Sequence, residues 1–442
     1  MCFNPSTKKQ TTIFINRDGF QPIYKKNKQQ LGFSQNKLSK QLKKINMSWE
    51  IVKLGDVVKM VTGKTPPTSN KDYFDGEYLW VNPSDFGSKY ILESKRTITQ
   101  KAVDEKKCNL LPKGTILLSC IGDIGKIGIL NNQGASNQQI TGLITKENVF
   151  PDYLYYYLIN NKSQLESLAN KAVVAILNNE RLRDLDVVLP PLHIQKQIAQ
   201  ILDTADALKR KDQQLLKKYD ELAQAIFIDM FGDPVKNEKG WEVKKIGSFI
   251  KDIEVGSSYG GENKNLDEGE LGVLKVSAVT SGTFRSDEYK AVRKTLIQKK
   301  PIFIKQGDFL FSRANTRDLV GATCIVDQNY NHLFLSDKIW KIVFNNEKCN
   351  SIFMKSILSQ KSVRYELNKT ATGTSGSMLN ISMQKLKDLS IIIPPIALQN
   401  NYGEIYSDLQ KVRRNSEIAN TNSNNLFQTL IQKAFNNELV TE

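Results

Sequence analysis

An internal duplication constrains this chain more than any other feature. Trp49-Glu50-Ile51-Val52-Lys53-Leu54-Gly55 returns as Trp241-Glu242-Val243-Lys244-Lys245-Ile246-Gly247, and KGTILLS at 113–119 is matched by QGDFLFS at 306–312. Ser136-Asn137-Gln138-Gln139-Ile140 is set against Ser336-Asp337-Lys338-Ile339-Trp340, and LDVVLPP at 185–191 against LSIIIPP at 389–395. Shared segments in one order, twice, mean one module built twice. Each half spans roughly 200 residues, far beyond a solenoid repeat of about 20–45. The expected architecture is therefore two tandem domains of the same fold.

Both copies follow one plan. Short apolar or β-branched runs read as strands: ILLSC at 116–120, KIGIL at 126–130, FLFS at 309–312 and ATCIV at 322–326. Each copy closes on an apolar strand ending in Pro-Pro, at 190–191 and 394–395. Proline stops a strand and suits the first turn of a helix. A helical pattern follows. Ile194, Ile198, Ile201, Ala205, Leu208, Asp212, Leu215, Tyr219, Leu222 and Ile226 step by four and three, a heptad seam with one polar break at Asp212. Moving 204 positions on gives Leu398, Tyr402, Ile405, Leu409, Val412, Ser416, Ala419, Ser423, Leu426 and Leu430, with the break repeated at Ser416. The second seam is weaker, and Asn420 to Asn425 is a poor helix former. A narrow apolar stripe is not left exposed, so the two helices are expected to pack on each other; the alternative is two separate amphipathic helices, each packed on its own domain. A helix over 194–230 is about 55 Å long at about 1.5 Å per residue, a strut that holds two domains apart. The Gly- and Pro-bearing segment GDPVKNEKG, 232–240, then opens the second copy.

Charge needs a location before it can imply a partner. The formal net charge is +16, yet residues 1–46 hold ten Lys/Arg against one acidic residue, Asp18. That Lys/Gln/Asn-rich leader accounts for +9, which leaves +7 for the other 396 residues. The leader reads as a disordered tail or an over-extended start with Met47 as initiator; a basic DNA-gripping arm is the alternative. No secretory signal and no run of about 20 apolar residues is present. Five scattered cysteines, with no CxxC pair, indicate reduced thiols and a cytoplasmic protein. With only His193 and His332, a His/Cys metal site is not expected.

Catalytic patterns fail one after another. Gly63-Lys64-Thr65 resembles the end of a phosphate loop, but Val58 stands where its first glycine is needed. Gly122, Gly125 and Gly128 lack the dinucleotide spacing and a surrounding βαβ unit, and read as a turn between strands. Asn82-Pro83-Ser84-Asp85 lacks the second proline and the aromatic of an amino-methyltransferase loop. No Ser/His or Cys/His arrangement is credible. The expectation is a non-catalytic chain that binds no cofactor and no metal.

Taken together, TGKTPPTSNKDYFDGEYLWVNPSDF (62–86), IGDIGKIGI (121–129), SNQQI (136–140), GDFLFSRANTRDLVG (307–321), SDKIW (336–340) and GTSGSMLNIS (373–382) resemble the specificity subunits of type I restriction-modification systems. The two strand-Pro-Pro-helix junctions match as well, and the resemblance runs over roughly 47–442. It implies an α+β chain of two tandem mixed α/β target-recognition domains, joined by two long helices in an antiparallel coiled coil. Each domain reads one half of a bipartite site in double-stranded DNA. The helices set the spacing and bind two modification (methyltransferase) subunits, which restriction (endonuclease) subunits join. S-adenosylmethionine, Mg²⁺ and ATP are used by those partners. The implied organisation is a leader (1–46), a first recognition domain (47–191), a central helical spacer (192–231), a second recognition domain (232–395) and a distal helical spacer (396–442). Rival readings are a protein-joining scaffold on a coiled-coil rod, and a stand-alone nuclease or methyltransferase.

Loops between strands are where base readout is expected. Ser312-Arg313-Ala314-Asn315-Thr316-Arg317 is the strongest candidate, since Arg grips guanine and Asn adenine bidentately in the major groove. Lys338 lies in the shared segment nearby. The corresponding loop of the first copy, Cys120 to Ile124, is about three residues shorter and not basic, so Lys64, Lys126, Asn137, Gln138 and Gln139 are the candidates there. Each Lys or Arg could instead hold phosphate without specifying sequence, and Asn137-Gln138-Gln139 could bond backbone within the domain. Gly-Thr-Ser-Gly-Ser at 373–377 could meet phosphate through backbone N–H groups or be a plain loop.

Overall fold

A computed structural model describes residues 49–170, 174–373, 378–436 and 438–439. The leader at 1–46 and most of the Gly-Thr-Ser-Gly-Ser loop, 374–377, lie outside the described residues.

Both copies are α+β and share a topology. The opening strand Glu50–Lys53 pairs antiparallel with Asp186–Leu189, and Glu242–Lys245 pairs the same way with Ser390–Ile393. Sequence-distant ends thus close each domain beside the Pro-Pro junction. The first copy's main sheet runs Val58–Thr62, Ile140–Thr145, Ile116–Ser119, Ile127–Leu130 and Tyr90–Ile91. In the second copy Ile250–Val255, Ile339–Phe344, Phe309–Ser312 and Thr323–Ile325 take the first four places. A second sheet in each copy contains one parallel pair, Phe74–Val81 with Gly134–Ser136 and Glu270–Leu274 with Tyr330–Phe334. The central strands are apolar on both faces, so Ile116, Leu117 and Leu118 are all fully buried, as are Leu310 and Phe311. The register corrects one sequence match. Ser119 lies opposite Ile140 and Ser312 opposite Ile339. Asn137-Gln138-Gln139-Ile140 therefore corresponds to Ser336-Asp337-Lys338-Ile339, one residue from the alignment that identical serines suggest.

Two helices, Leu192–Phe231 and Ile396–Phe435, each of 40 residues, follow the Pro-Pro junctions. At about 1.5 Å per residue each is about 60 Å long. They run antiparallel: Phe227 and Phe231, late in the central helix, meet Tyr402, early in the distal one, at 5.6 and 5.4 Å between ring centroids. Phe427, Ile431 and Ala434 return to pack with Ile198, Leu202 and Ala205 in the first domain's core. Each domain is thus closed by the start of its own helix and the end of the other. A buried glutamine secures each start. Gln195 Nε2 donates to Pro190 O at 2.8 Å and its Oε1 accepts from Phe150 N–H at 2.8 Å; Gln399 repeats this with Pro394 O at 2.7 Å and Asn350 N–H at 3.0 Å.

The helix pairing corrects part of the expected seam. Ala205, Asp212, Tyr219 and Ile226 are at least half-buried, as are Tyr402, Leu409, Ser416, Ser423 and Leu430. Leu208, Leu215 and Leu222 face outward at 45, 39 and 46 % exposure, with Ile405, Val412 and Leu426 at 38, 47 and 45 %. The half-buried neighbours Lys209, Leu216 and Ala223 take the inner places. Both rows repeat every seven residues, and packing selects one. Across the pair, Arg413 Nε donates to Asp220 at 2.7 Å and Lys209 stands 4.4 Å over the Phe427 ring. Asn420 to Asn425 is helical despite its composition: Ser423 is buried, Asn424 Nδ2 donates to Asn420 O at 2.7 Å, and tertiary packing outweighs propensity.

Candidate nucleic-acid interface

Equivalent strands carry the two candidate loops out of the main sheets. Ser119 N–H donates to Lys126 O and Ser312 N–H to Ala322 O, both at 2.8 Å; their carbonyls accept from Gly125 N–H at 3.1 Å and Gly321 N–H at 2.8 Å. Between those closures lie five residues (120–124) in the first copy and eight (313–320) in the second. Each loop is tied at the same atoms. Cys120 N–H donates to Gln139 O at 2.8 Å and Arg313 N–H to Lys338 O at 3.0 Å, while Leu177 N–H reaches Cys120 O at 2.8 Å and Ile381 N–H reaches Arg313 O at 2.9 Å. Arg313 therefore stands where the first copy has Cys120, and Lys338 where it has Gln139.

The longer loop carries the charge. Arg313 is half-buried: its Nε donates to Asp337 O at 2.8 Å and its guanidinium lies 6.0 Å from the Trp340 ring. Arg317 is exposed, and its guanidinium makes no hydrogen bond or ion pair among the described residues. Lys338 is half-buried, and its ammonium has no such partner there either. Asn315 Oδ1 accepts from Thr316 N–H at 2.8 Å, and Ser312 is fully buried. Ser312 Oγ, Asn315 Nδ2 and Asp337 Oδ1 are sealed from solvent without a hydrogen-bond partner among the described residues.

Two residues that sequence reasoning missed brace this loop from the helix Lys361–Thr370. Arg364 Nη2 donates to Asp318 O at 2.7 Å and Val320 O at 3.0 Å, and Asn368 Nδ2 donates to Arg317 O at 2.8 Å. Burial holds the Arg364 pKa below its ordinary value. Their spacing of four, which places both on one helix face, was the available signal.

The first copy is wired inward. Asn137 is 8 % exposed and its Nδ2 donates to Asn82 Oδ1 at 2.9 Å and Gln139 Oε1 at 3.1 Å, while its Oδ1 accepts from Gln139 N–H at 3.0 Å. Asn137 and Gln139 thus hold the turn within the domain, and exposed Gln138 accepts from the Thr65 hydroxyl. Lys64 Nζ donates to Lys106 O at 2.7 Å, and Lys126 pairs with Asp123 at 3.0 Å. Lys64, Gln138 and Lys126 gather near one turn of the first domain, whereas Arg313 and Arg317 belong to the second. Among the described residues no group of three or more His, Cys, Asp or Glu is placed to hold a metal, and no helix is long and apolar enough to cross a membrane.

Comparison with known proteins agrees with this duplicated geometry. The chain matches the family described as "Type I restriction modification DNA specificity domain" twice, over residues 46–218 and 238–428. It is 28% identical over 405 residues to the type I restriction enzyme MjaIX specificity subunit of Methanocaldococcus jannaschii, covering 85% of this chain and 90% of that one. The EcoKI specificity subunit of Escherichia coli is 20% identical over 427 residues, covering 90% and 91%. In fold, the chain is similar to the S subunit of a type I restriction-modification system from M. genitalium, with a TM-score of 0.56, 14% identity, and 88% and 97% of the two chains covered. Two family matches, one on each copy of the repeat, place this chain in the type I restriction-modification DNA specificity family.

Proposed function

We propose that this chain is the recognition subunit of a type I restriction-modification assembly and reads a bipartite, asymmetric target in double-stranded DNA. The carrying observation is the pair of topologically equivalent loops that differ in length and charge, set on two domains spaced by a 40-residue helix pair. Equivalent positions suit one duplex contacted in two places, and different side chains suit two different half-sites. Tethering makes the second contact intramolecular, so two weak half-sites sum to tight binding. The reading residues in the second half are Arg313, Arg317 and Lys338, with Ser312 and Asn315 shaping the loop. In the first half they are Lys64, Lys126 and Gln138, with Asn137 and Gln139 holding the turn. The recognition domains are assigned to 47–191 and 232–395, and the spacers to 192–231 and 396–442.

The outward rows Leu208-Leu215-Leu222 and Ile405-Val412-Leu426 supply an apolar face for two modification subunits, which restriction subunits join. Those partners supply the chemistry and use S-adenosylmethionine, Mg²⁺ and ATP; this chain supplies the address. The assembly acts on DNA in the cytoplasm.

The test is Arg313→Ala and Arg317→Ala, read by methylome sequencing of the host. A bidentate base contact costs about 1–3 kcal/mol at one base position. The expected result is relaxed preference in one half-site only. Altered preference in both half-sites, or in neither, refutes the assignment of this loop.

A further inference from the structure

We propose that Lys106-Lys107 and Lys299-Lys300 are a matched pair of phosphate clamps, one on each recognition domain, gripping the backbone of duplex DNA without reading its bases. Each Lys-Lys pair stands eight residues before an equivalent glycine, Gly114 or Gly307, both at φ +86°. From those glycines the two copies run in step into the strands that carry the candidate loops.

The surroundings match as well. Gly63 and Gly256 each press against the strand that leads to the shared segment: a Cβ on Gly63 would lie 2.0 Å from Asn137 O, and one on Gly256 1.9 Å from Leu335 O. In the first copy Lys64, the next residue, donates from Nζ to Lys106 O at 2.7 Å. In the second, Lys299 and Lys300 line a groove with Gly256, Ser257 and Tyr259, and Lys299 N–H donates to Tyr259 Oη at 3.1 Å. Both pairs therefore flank the same structural corner, next to the segments holding Gln138 and Lys338.

None of the four ammonium groups makes a hydrogen bond or ion pair among the described residues, and all but half-buried Lys107 are exposed. Other lysines of the two domains are ion-paired, Lys101 with Asp72 at 2.6 Å, Lys264 with Asp267, Lys275 with Glu288 at 2.9 Å and Lys341 with Glu254 at 3.0 Å, whereas Lys113, Lys294 and Lys305, near the pairs in sequence, are as free of partners among the described residues as the pairs themselves. The loops beside these corners have diverged, Cys120 against Arg313 and Gln139 against Lys338, while the Lys-Lys pairs have not. What two different half-sites have in common is the sugar-phosphate backbone, whose regular charge an ammonium group meets without geometric selectivity.

This rests on the DNA-reading function proposed above, and the experiment separates the two. Lys106→Gln/Lys107→Gln, Lys299→Gln/Lys300→Gln and the four-fold variant are assembled with the methyltransferase partner. Binding to a cognate and a scrambled duplex is measured across a salt series. Removing one ammonium from a phosphate flattens the slope of log Kobs against log[salt] by about 0.9. The expected flattening is therefore up to about 1.8 for each double variant and about 3.6 for the four-fold one, equal on both duplexes, with base preference unchanged. Arginine at the same positions restores the slope. An unchanged slope in folded variants, a shift in preferred bases, or failure of partner assembly with DNA binding intact overturns the clamps and leaves the DNA-reading function standing. A parent assembly that retains neither duplex overturns both.

Discussion

Lys89 tests how the first recognition domain is held on the strut. Its side chain is 7 % exposed and pairs with Asp152, on the helix Pro151–Asn160, and with Asp203 on the central helix. Tyr156 Oη donates to Asp203 at 2.6 Å, Tyr90 Oη donates to Asp152, and the ammonium lies 4.9 to 5.7 Å from the ring centroids of Tyr90, Tyr155 and Tyr156. Lys89→Met keeps the stem and removes the charge, leaving Asp152, 11 % exposed, without its cation. Removing one partner of a buried pair costs about 3–5 kcal/mol. Asp203 is 42 % exposed and stays hydrated, so the lower end, about 3 kcal/mol, is expected. At about 1.4 kcal/mol per decade that is a loss of protection of about two orders of magnitude. Hydrogen exchange reads it locally: amides of Ile116–Ser119 should lose that protection, while those of Phe309–Ser312 in the other domain keep theirs. Adding Asp152→Asn should recover part of the loss, because the uncompensated charge is then gone. A loss under tenfold, or an equal loss in both strands, refutes the view that this node is a desolvated pin specific to the first domain.

Gly256→Ala should cost about 1–3 kcal/mol as an overpacking change, because its Cβ would stand 1.9 Å from the Leu335 carbonyl; an unchanged denaturant midpoint for the second domain would sink that. The same substitution at Gly63 should act on the first domain alone, by the same measurement. Burial raises the thiol pKa of Cys108, Cys120, Cys324 and Cys349, the last two to about 12. The thiolate is the nucleophile, so alkylation of these four in the native protein at about pH 8 should wait on unfolding. Rapid labelling of any of them at a rate indifferent to stability would count against their burial.

The duplication, the strand-Pro-Pro-helix junctions and the presence of two long helices were all legible in the sequence. They are local or repeated signals, and a strand ending in Pro-Pro before a heptad pattern has few other readings. The loop 313–320 stood out for its Arg and Asn content, and its extra length over 120–124 could be counted directly. Its bracing by Arg364 and Asn368 was not legible, because both come from a helix about fifty residues further on. The inward wiring of Asn137 stood as one of two sequence readings; its partner Asn82 was not legible, because an amide in a turn looks the same whether Asn82 or solvent receives it. The match of 113–119 with 306–312 already set the two Lys-Lys pairs in one register, but the sequence did not show that their ammonium groups have no partner among the described residues.

Residue order alone thus establishes that one α+β module occurs twice and that each copy ends in a long amphipathic helix, since duplicated motifs and heptad spacing survive without any knowledge of contacts. Packing in three dimensions settles the rest. It set the alignment of 137–140 with 336–339, because strand pairing and not residue identity defines equivalence. It also chose the inner face of the helix pair. The central helix carries apolar residues on two adjacent rows seven apart, and the sequence permits either row to be buried. Antiparallel packing against the partner helix and the domain cores covers Leu202, Leu216 and Ala223 and leaves Leu208, Leu215 and Leu222 outside. A hydrophobic stripe specifies that something covers it; only the geometry of the surrounding elements specifies what.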